Sequence, residues 1–129
     1  MKLLLDTHLL IWAAVDDPDL SDEARAVIED TDNTLYFSVA SMWEIVIKSA
    51  LGRDDFQLDA RVLRRSLLDA GYEELSIEAQ HAFEVASLPP LHKDPFDRLL
   101  IGQAIAEGIV LLTHDEQVRR YDFAPVRYV

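Results

Sequence analysis

The sequence predicts an α/β domain with a mostly parallel central sheet and helices on both faces. Short apolar runs alternate along the chain with longer helical segments. These runs are apolar throughout instead of alternating with polar residues, as expected of strands covered on both sides. Capping and breaking residues bracket the helical segments.

Lys2–Leu5 is a short apolar run ending at Asp6, and reads as a buried strand. Thr7–Val15 reads as a helix, broken by Asp16-Asp17-Pro18. Ser21 is placed to cap a second helix over Asp22–Glu29. Leu35–Ser38 is the second strand, and the helix after it runs to Leu51 and stops at Gly52. Asp59 caps a further helix that ends before Gly71, and Tyr72–Leu75 is a weak strand suited to a sheet edge. Ser76 is placed to cap a helix reaching about Ser87. Pro89-Pro90 forces a loop. Asp94-Pro95 opens a helix with proline at its first position, and Gly108 closes it. Ile109–Leu112 is a strongly apolar strand. A short helix near Glu116–Arg120 and a last strand near Val126–Val129 complete the order.

The 129 residues suit one domain, 1–129, with no repeat or linker, and half of them are hydrophobic. The absence of cysteine excludes disulfide frameworks, thiolate zinc sites and cysteine nucleophiles, and fits a reducing cytoplasm. The longest apolar stretches, Leu9–Val15 and Ile109–Leu112, fall far short of the ~20 residues that span a bilayer, so no membrane association is expected. Asp6 interrupts the N-terminus too early for a signal peptide. The net charge is −12, from 24 acidic and 12 basic residues. A uniformly acidic surface repels nucleic acid, but carboxylates gathered around metal ions reverse the local field.

Four acids are expected to share one edge of the sheet. Asp6 directly follows the first strand, and Asp115 follows the strand Ile109–Leu112. Helices in parallel α/β units run back against the strands, so their N-termini return to the carboxyl edge. Asp97 lies in the first turn of the helix opened by Asp94-Pro95. Glu44 lies early in the helix after Leu35–Ser38, and helical side chains lean toward the N-terminus. Ligands of open parallel sheets bind at this edge, where strand order reverses. Clustered carboxylates repel one another, divalent ions relieve that repulsion, and an all-oxygen donor set suits Mg²⁺ or Mn²⁺. Such a site can bind a phosphodiester and activate water against it.

Each acid also has a structural reading. Asp6 can simply end a strand. Glu44 can complete a capping box, Ser41-Met42-Trp43-Glu44, or pair with Lys48 one turn on. Asp97 suits the positive end of a helix, Asp94 is best explained as that helix's N-cap, and Asp115 can cap the short helix after it.

The ordered segments Leu3-Leu4-Leu5-Asp6-Thr7-His8, Ser38-Val39-Ala40-Ser41-Met42-Trp43-Glu44-Ile45-Val46-Ile47-Lys48, His92-Lys93-Asp94-Pro95-Phe96-Asp97-Arg98-Leu99-Leu100-Ile101 and Leu112-Thr113-His114-Asp115 resemble the motifs of PIN domains, and within them the VapC-type toxins of bacterial toxin–antitoxin pairs. The resemblance covers nearly the whole chain. It implies an α/β/α sandwich, endoribonuclease activity leaving 5′-phosphate and 3′-hydroxyl ends, Mg²⁺ or Mn²⁺ as cofactor, a homodimer and a small protein antitoxin. Asp6, Glu44, Asp97 and Asp115 match the family's acidic quartet by position, and Thr7 and Thr113 its accompanying hydroxyls.

The surrounding residues yield further expectations. An RNA grip is sought among Lys93, Arg98, Arg64 and Arg65, each of which also reads as ordinary surface. His8, His92 and His114 read as local hydrogen-bonding or substrate-side groups, because no His-x-x-x-His pair exists. His81 reads as helix surface. Trp12 and Trp43 read as core or dimer contacts, and Leu9, Leu10, Trp12, Leu63 and Leu67 exceed what one helix face needs, which suggests a contact with a second copy. A metal-dependent endoribonuclease acting as a toxin is the reading these residues support best. Phosphoryl transfer through an aspartyl phosphate at Asp6 is disfavoured, since Asp6-Thr7-His8 lacks the second acid of an Asp-x-Asp motif. A non-catalytic acidic module that binds a basic protein is the third possibility.

Overall fold

The computed structural model describes residues 1–129. Its elements run β1 (Lys2–Leu5), α1 (Thr7–Val15), α2 (Asp22–Glu29), β2 (Thr34–Ser38), α3 (Val39–Ala50), a 3₁₀ turn (Asp54–Phe56), α4 (Ala60–Asp69), β3 (Glu73–Leu75), α5 (Ala79–Ala86), α6 (Pro95–Glu107), β4 (Val110–Thr113), α7 (Glu116–Arg119) and β5 (Val126–Tyr128). The strands lie in the order β3-β2-β1-β4-β5, and every pairing is parallel, beyond the mostly parallel sheet expected. β1 is central: Leu3 pairs with Leu35 on one side and with Val110 on the other.

The chain builds outward from β1 through β2 to β3, then crosses back to lay β4 against the other side of β1. Strand order therefore reverses between β1 and β4. Alternate residues of the central strands enter separate cores. Leu3 and Leu5 join Leu112, Phe37 and the inner residues of α1, α3 and α4, whereas Leu4 and Leu111 join Leu100, Ile101, Ala104 and Tyr121 on the opposite face. This is the three-layer α/β/α sandwich. No helix is long and apolar enough to cross a membrane.

Local chemistry sets the helix boundaries. Ser21 caps α2 by accepting from the Ala24 amide, and Gly108 ends α6 in the left-handed region at φ 65°. Two caps differ from expectation. α3 begins at Val39, with the Ser38 side chain accepting from the Ala40 amide, so Ser41 and Glu44 form no capping box. β2 passes into α3 without a loop, which makes the strand's last residue the cap. α5 is capped by Glu78 instead of Ser76, and His81 returns the favour by accepting from the Glu78 amide. His81 is thus buried at 1 % exposure, contrary to its expected surface position. Leu9, Leu10, Leu63 and Leu67 are buried in the first core and supply no surface for a second chain. α1 lies between the sheet, α3 and α4, so more than one of its faces is covered.

Candidate active site at the carboxyl edge

Where strand order reverses, a cleft of about 140 Å³ opens among Asp6, Thr7, His8, Glu44, Lys48, Arg53, Asp94, Asp97 and Asp115, with no hydrophobic residue in its lining. All four expected acids reach it, together with Asp94. Each arrives by a different local route.

Asp6 is the first residue beyond β1 and the N-cap of α1. Its amide donates to the Leu112 carbonyl, continuing the ladder with β4, while Oδ1 accepts from the Leu9 amide at 3.0 Å. Oδ2 accepts from the Thr113 hydroxyl. Thr113 Oγ1 in turn accepts from the Asp115 amide at 3.0 Å, so one hydroxyl at the end of β4 fixes two acids. Asp115 caps α7 through Oδ1, which takes the Gln117 amide at 2.7 Å. Glu44 is buried at 2 % exposure, one turn into α3. Its Oε1 lies 2.5 Å from Thr7 Oγ1, and that hydroxyl also lies 2.9 Å from Ser41 Oγ. Thr7 has one proton, which goes to the carboxylate, and Ser41 donates to it in turn. The two threonines expected beside the acids thus orient Glu44, Asp6 and Asp115.

Asp97 sits in the first turn of α6. Asp94, the N-cap, accepts the Phe96 and Asp97 amides through Oδ1, leaving the Asp97 side chain free to face the cleft. Asp97 Oδ2 lies 3.2 Å from His92 Nε2. The other imidazole nitrogen meets the Tyr121 hydroxyl at 2.9 Å, and Arg98 donates to that same oxygen at 2.8 Å. Burial holds the His92 imidazole below its ordinary pKa, so a neutral ring donates to Asp97.

The cleft is electrostatically loaded. Burial, then the charges of Asp94, Glu44, Asp115 and Asp6, pushes the Asp97 carboxyl up to about 8. Burial raises Asp6 as well, against the hydrogen bonds from Thr113 and Leu9. Asp94 moves the other way: burial opposes its charge, but the bond from Lys48 holds its carboxyl below the ordinary range. Lys48 Nζ lies 2.5 Å from Glu44 Oε2 and 3.0 Å from Asp94 Oδ2. Burial alone would lower the Lys48 pKa, and these two carboxylates raise it instead.

The donors facing the cleft are carboxylate oxygens, and Glu44, Asp94 and Asp97 each bring one to within 4.8 Å of the others. Hard divalent cations such as Mg²⁺ and Mn²⁺ fit that donor set. A cation there would oppose the repulsion that Asp94, Glu44, Asp115 and Asp6 add to the effect of burial on Asp97.

The nearby histidines behave as local partners. His8 Nε2 pairs with Asp55 at 3.0 Å, and His114 donates from Nδ1 to the Val129 carbonyl while stacking on Tyr128. Two of the basic residues considered for RNA are engaged internally. Arg98 braces the Leu88 and Pro89 carbonyls as well as Tyr121, and Arg64 forks onto Glu74. Arg65 remains exposed on α4 beside Arg61. Trp43 is 55 % exposed, with its ring edge-on to Phe96, so it is no core residue. Lys48 and Arg53 were not anticipated as site residues. The i+4 spacing from Glu44 was the one signal pointing to Lys48.

The PIN domain family matches residues 3–124. Among solved structures the chain is similar to VapBC2 from Rickettsia felis bound to a promoter DNA fragment, at 18% identity and TM-score 0.69. It is also similar to VapBC-1 from nontypeable Haemophilus influenzae, at 20% and 0.65, and to DNA-bound VapBC from Salmonella typhimurium, at 16% and 0.67. Each match covers 99% of this chain and 98% of the other. No curated protein matches the sequence.

Proposed function

This chain belongs to the PIN domain family, and from that premise we propose that it is a metal-dependent endoribonuclease acting as the toxin of a toxin–antitoxin pair. The observation that carries the proposal is the convergence of Asp6, Glu44, Asp97 and Asp115, from four separate elements, on one cleft at the strand-order reversal. The sequence motifs shared with VapC-type toxins support the toxin role, and the likeness to VapBC assemblies agrees with an antitoxin partner. A cytoplasmic RNA substrate belongs to the same reading.

Asp6, Asp97, Asp115 and Glu44 would hold Mg²⁺ or Mn²⁺. When bound, the ion supplies Lewis acidity toward a phosphodiester and lowers the pKa of water. The chain's own part is positioning. Thr113 and the Leu9 amide fix both oxygens of Asp6. Thr7 and Lys48 fix both oxygens of Glu44. His92 orients Asp97, braced behind by Tyr121 and Arg98. Asp97, whose carboxyl is pushed up to about 8, is the acid placed to hold a proton near neutral pH in the metal-free protein.

A homodimer is part of the proposal. Its contact surface moves from the buried leucines to the exposed apolar side of α3, where Trp43, Val46, Ile47 and the following Leu51 reach solvent.

The test is cleavage of a panel of structured RNAs by the purified protein with Mg²⁺, with Mn²⁺ and with EDTA. Metal-dependent cutting that Asp97→Asn abolishes is expected. Cutting that persists in EDTA, or none under any condition while the protein captures a basic protein instead, would overturn the reading.

A further inference from the structure

Lys48 is the one cation whose charged group lies inside the acid cluster on two carboxylates at once. Glu44, Asp94 and Asp97 have the spacing at which three carboxylates can share one ion, and the Lys48 ammonium already contacts two of these three. It is not a loose surface pair. The side chain is 14 % exposed, and the ammonium lies 5.0 Å from the Phe56 ring centre and 5.6 Å from that of Phe96. Swinging it out would break two charge-assisted hydrogen bonds and two cation–π contacts.

The oxygen inventory points the same way. Glu44 has Oε1 on Thr7 and Oε2 on Lys48. Asp94 has Oδ1 on the α6 amides and Oδ2 on Lys48. Across the cleft, Asp115 uses one oxygen for its cap and Asp97 one for His92, so each keeps an oxygen without a protein partner. Asp6 and Glu44 each accept one bond at each oxygen and keep lone pairs there, but Glu44 Oε2 faces the Lys48 ammonium whereas the partners of Asp6 are an uncharged hydroxyl and an amide. Oxygens without a protein partner therefore lie on Asp97 and Asp115, and Asp6 completes that side with carboxylate oxygens that no cation holds. A divalent ion added on the Glu44–Asp94 side would sit against a fixed ammonium of like charge.

We propose that Lys48 is a built-in second cation: its ammonium holds the Glu44–Asp94–Asp97 position, and the cluster takes a single divalent ion on the Asp6–Asp97–Asp115 side. The inference rests on the metal-dependent reading above. It makes Lys48 a positioning residue that sets metal stoichiometry, and it narrows the ligands of that reading to Asp6, Asp97 and Asp115, with Glu44 acting on the site through Lys48.

The experiment counts Mn²⁺ on the full-length protein by titration calorimetry and electron paramagnetic resonance, alongside RNA cleavage. Wild type should bind one ion, with no exchange coupling of the kind shown by two Mn²⁺ roughly 4 Å apart. Lys48→Met, which keeps length and removes charge, should bind two and show the coupling, and Lys48→Arg should return to one. Two coupled ions in an RNA-cleaving wild type would overturn this inference alone, and a single ion in folded Lys48→Met would do the same. No Mn²⁺ bound by wild type would overturn it together with the metal-dependent reading. If Lys48→Met does not fold, Lys48→Gln takes its place, with two coupled ions again expected and a single ion overturning the inference.

Discussion

Asp97→Asn should stabilise the metal-free protein at pH 8 and do little at pH 4. In the fold the Asp97 carboxyl is pushed from its ordinary 3.8 up to about 8, by burial first and then by four neighbouring acids. Between those values the folded state keeps a proton that the unfolded chain has released. Unfolding free energy therefore falls as pH rises through that interval, and the full penalty applies above it. At ~1.4 kcal/mol per pH unit the ceiling is about 6 kcal/mol. The side chain keeps 16 % of its surface in solvent, and its neighbours can relax. Half the ceiling, about 3 kcal/mol, is the working value. A domain of this size melts roughly 3–5 °C higher per kcal/mol, so the variant should gain about 9–15 °C at pH 8. Asparagine can still accept from His92, so the contact survives the change. The assay is thermal unfolding in EDTA at pH 4, 6 and 8. At saturating Mn²⁺ the gap should narrow, because ion binding adds about 2.7 kcal/mol to wild type at a hundred times Kd. A variant that melts no higher than wild type at pH 8, or whose gain does not vary with pH, would refute the reasoning.

Ser38→Ala should cost about 2 kcal/mol, because it removes the α3 cap and leaves the buried Gln103 Oε1 without the Ser38 hydroxyl at 2.6 Å. Ser41→Ala removes only a hydroxyl contact to Thr7 and should cost about 1 kcal/mol, so equal losses in urea unfolding would contradict the cap assignment. Gly102→Ala would place a Cβ 2.8 Å from the His81 carbonyl oxygen and 3.1 Å from Val85 Cγ2, forcing α5 off α6. A loss of roughly 1–3 kcal/mol is expected, and an unchanged melting temperature would refute the close approach. Glu44→Gln should fold but cost about 1–3 kcal/mol, since the amide can still accept from Thr7 but loses the charge paired with Lys48, which keeps Asp94. The same variant should lose most RNA cleavage, and retained activity would remove Glu44 from the site.

The layers were legible because strand and helix signals agree along most of the chain. Lys2–Leu5 runs straight into an acid, α1 and α2 lie where their caps and breakers put them, and Asp94-Pro95 opens α6 as its chemistry requires. Competing caps were less legible. Ser38 and Ser41 are both good N-cap residues, and the choice fell to Ser38 because β2 enters α3 directly. Ser76 lost to Glu78 because an imidazole three residues on completes the reciprocal pair, which is not an ordinary capping-box residue. The 3₁₀ turn at Asp54–Phe56 is too short to leave a periodic signal. The shared edge of the four acids followed from strand and helix direction alone. The place of Lys48 did not, because Glu44 and Lys48 read equally well as a surface pair. Its burial depends on Phe56 and Phe96, which arrive from separate elements.

The most direct test of the central claim is the rate of Mn²⁺-dependent RNA cleavage by Asp6→Asn, Glu44→Gln, Asp97→Asn and Asp115→Asn, each first checked for folding by circular dichroism. If the cleft holds the ion that drives cleavage, every variant should fold and lose roughly 100-fold or more in rate, as expected when several kcal/mol of transition-state charge stabilisation are removed. Folded variants that all cut RNA at the wild-type rate would contradict the account.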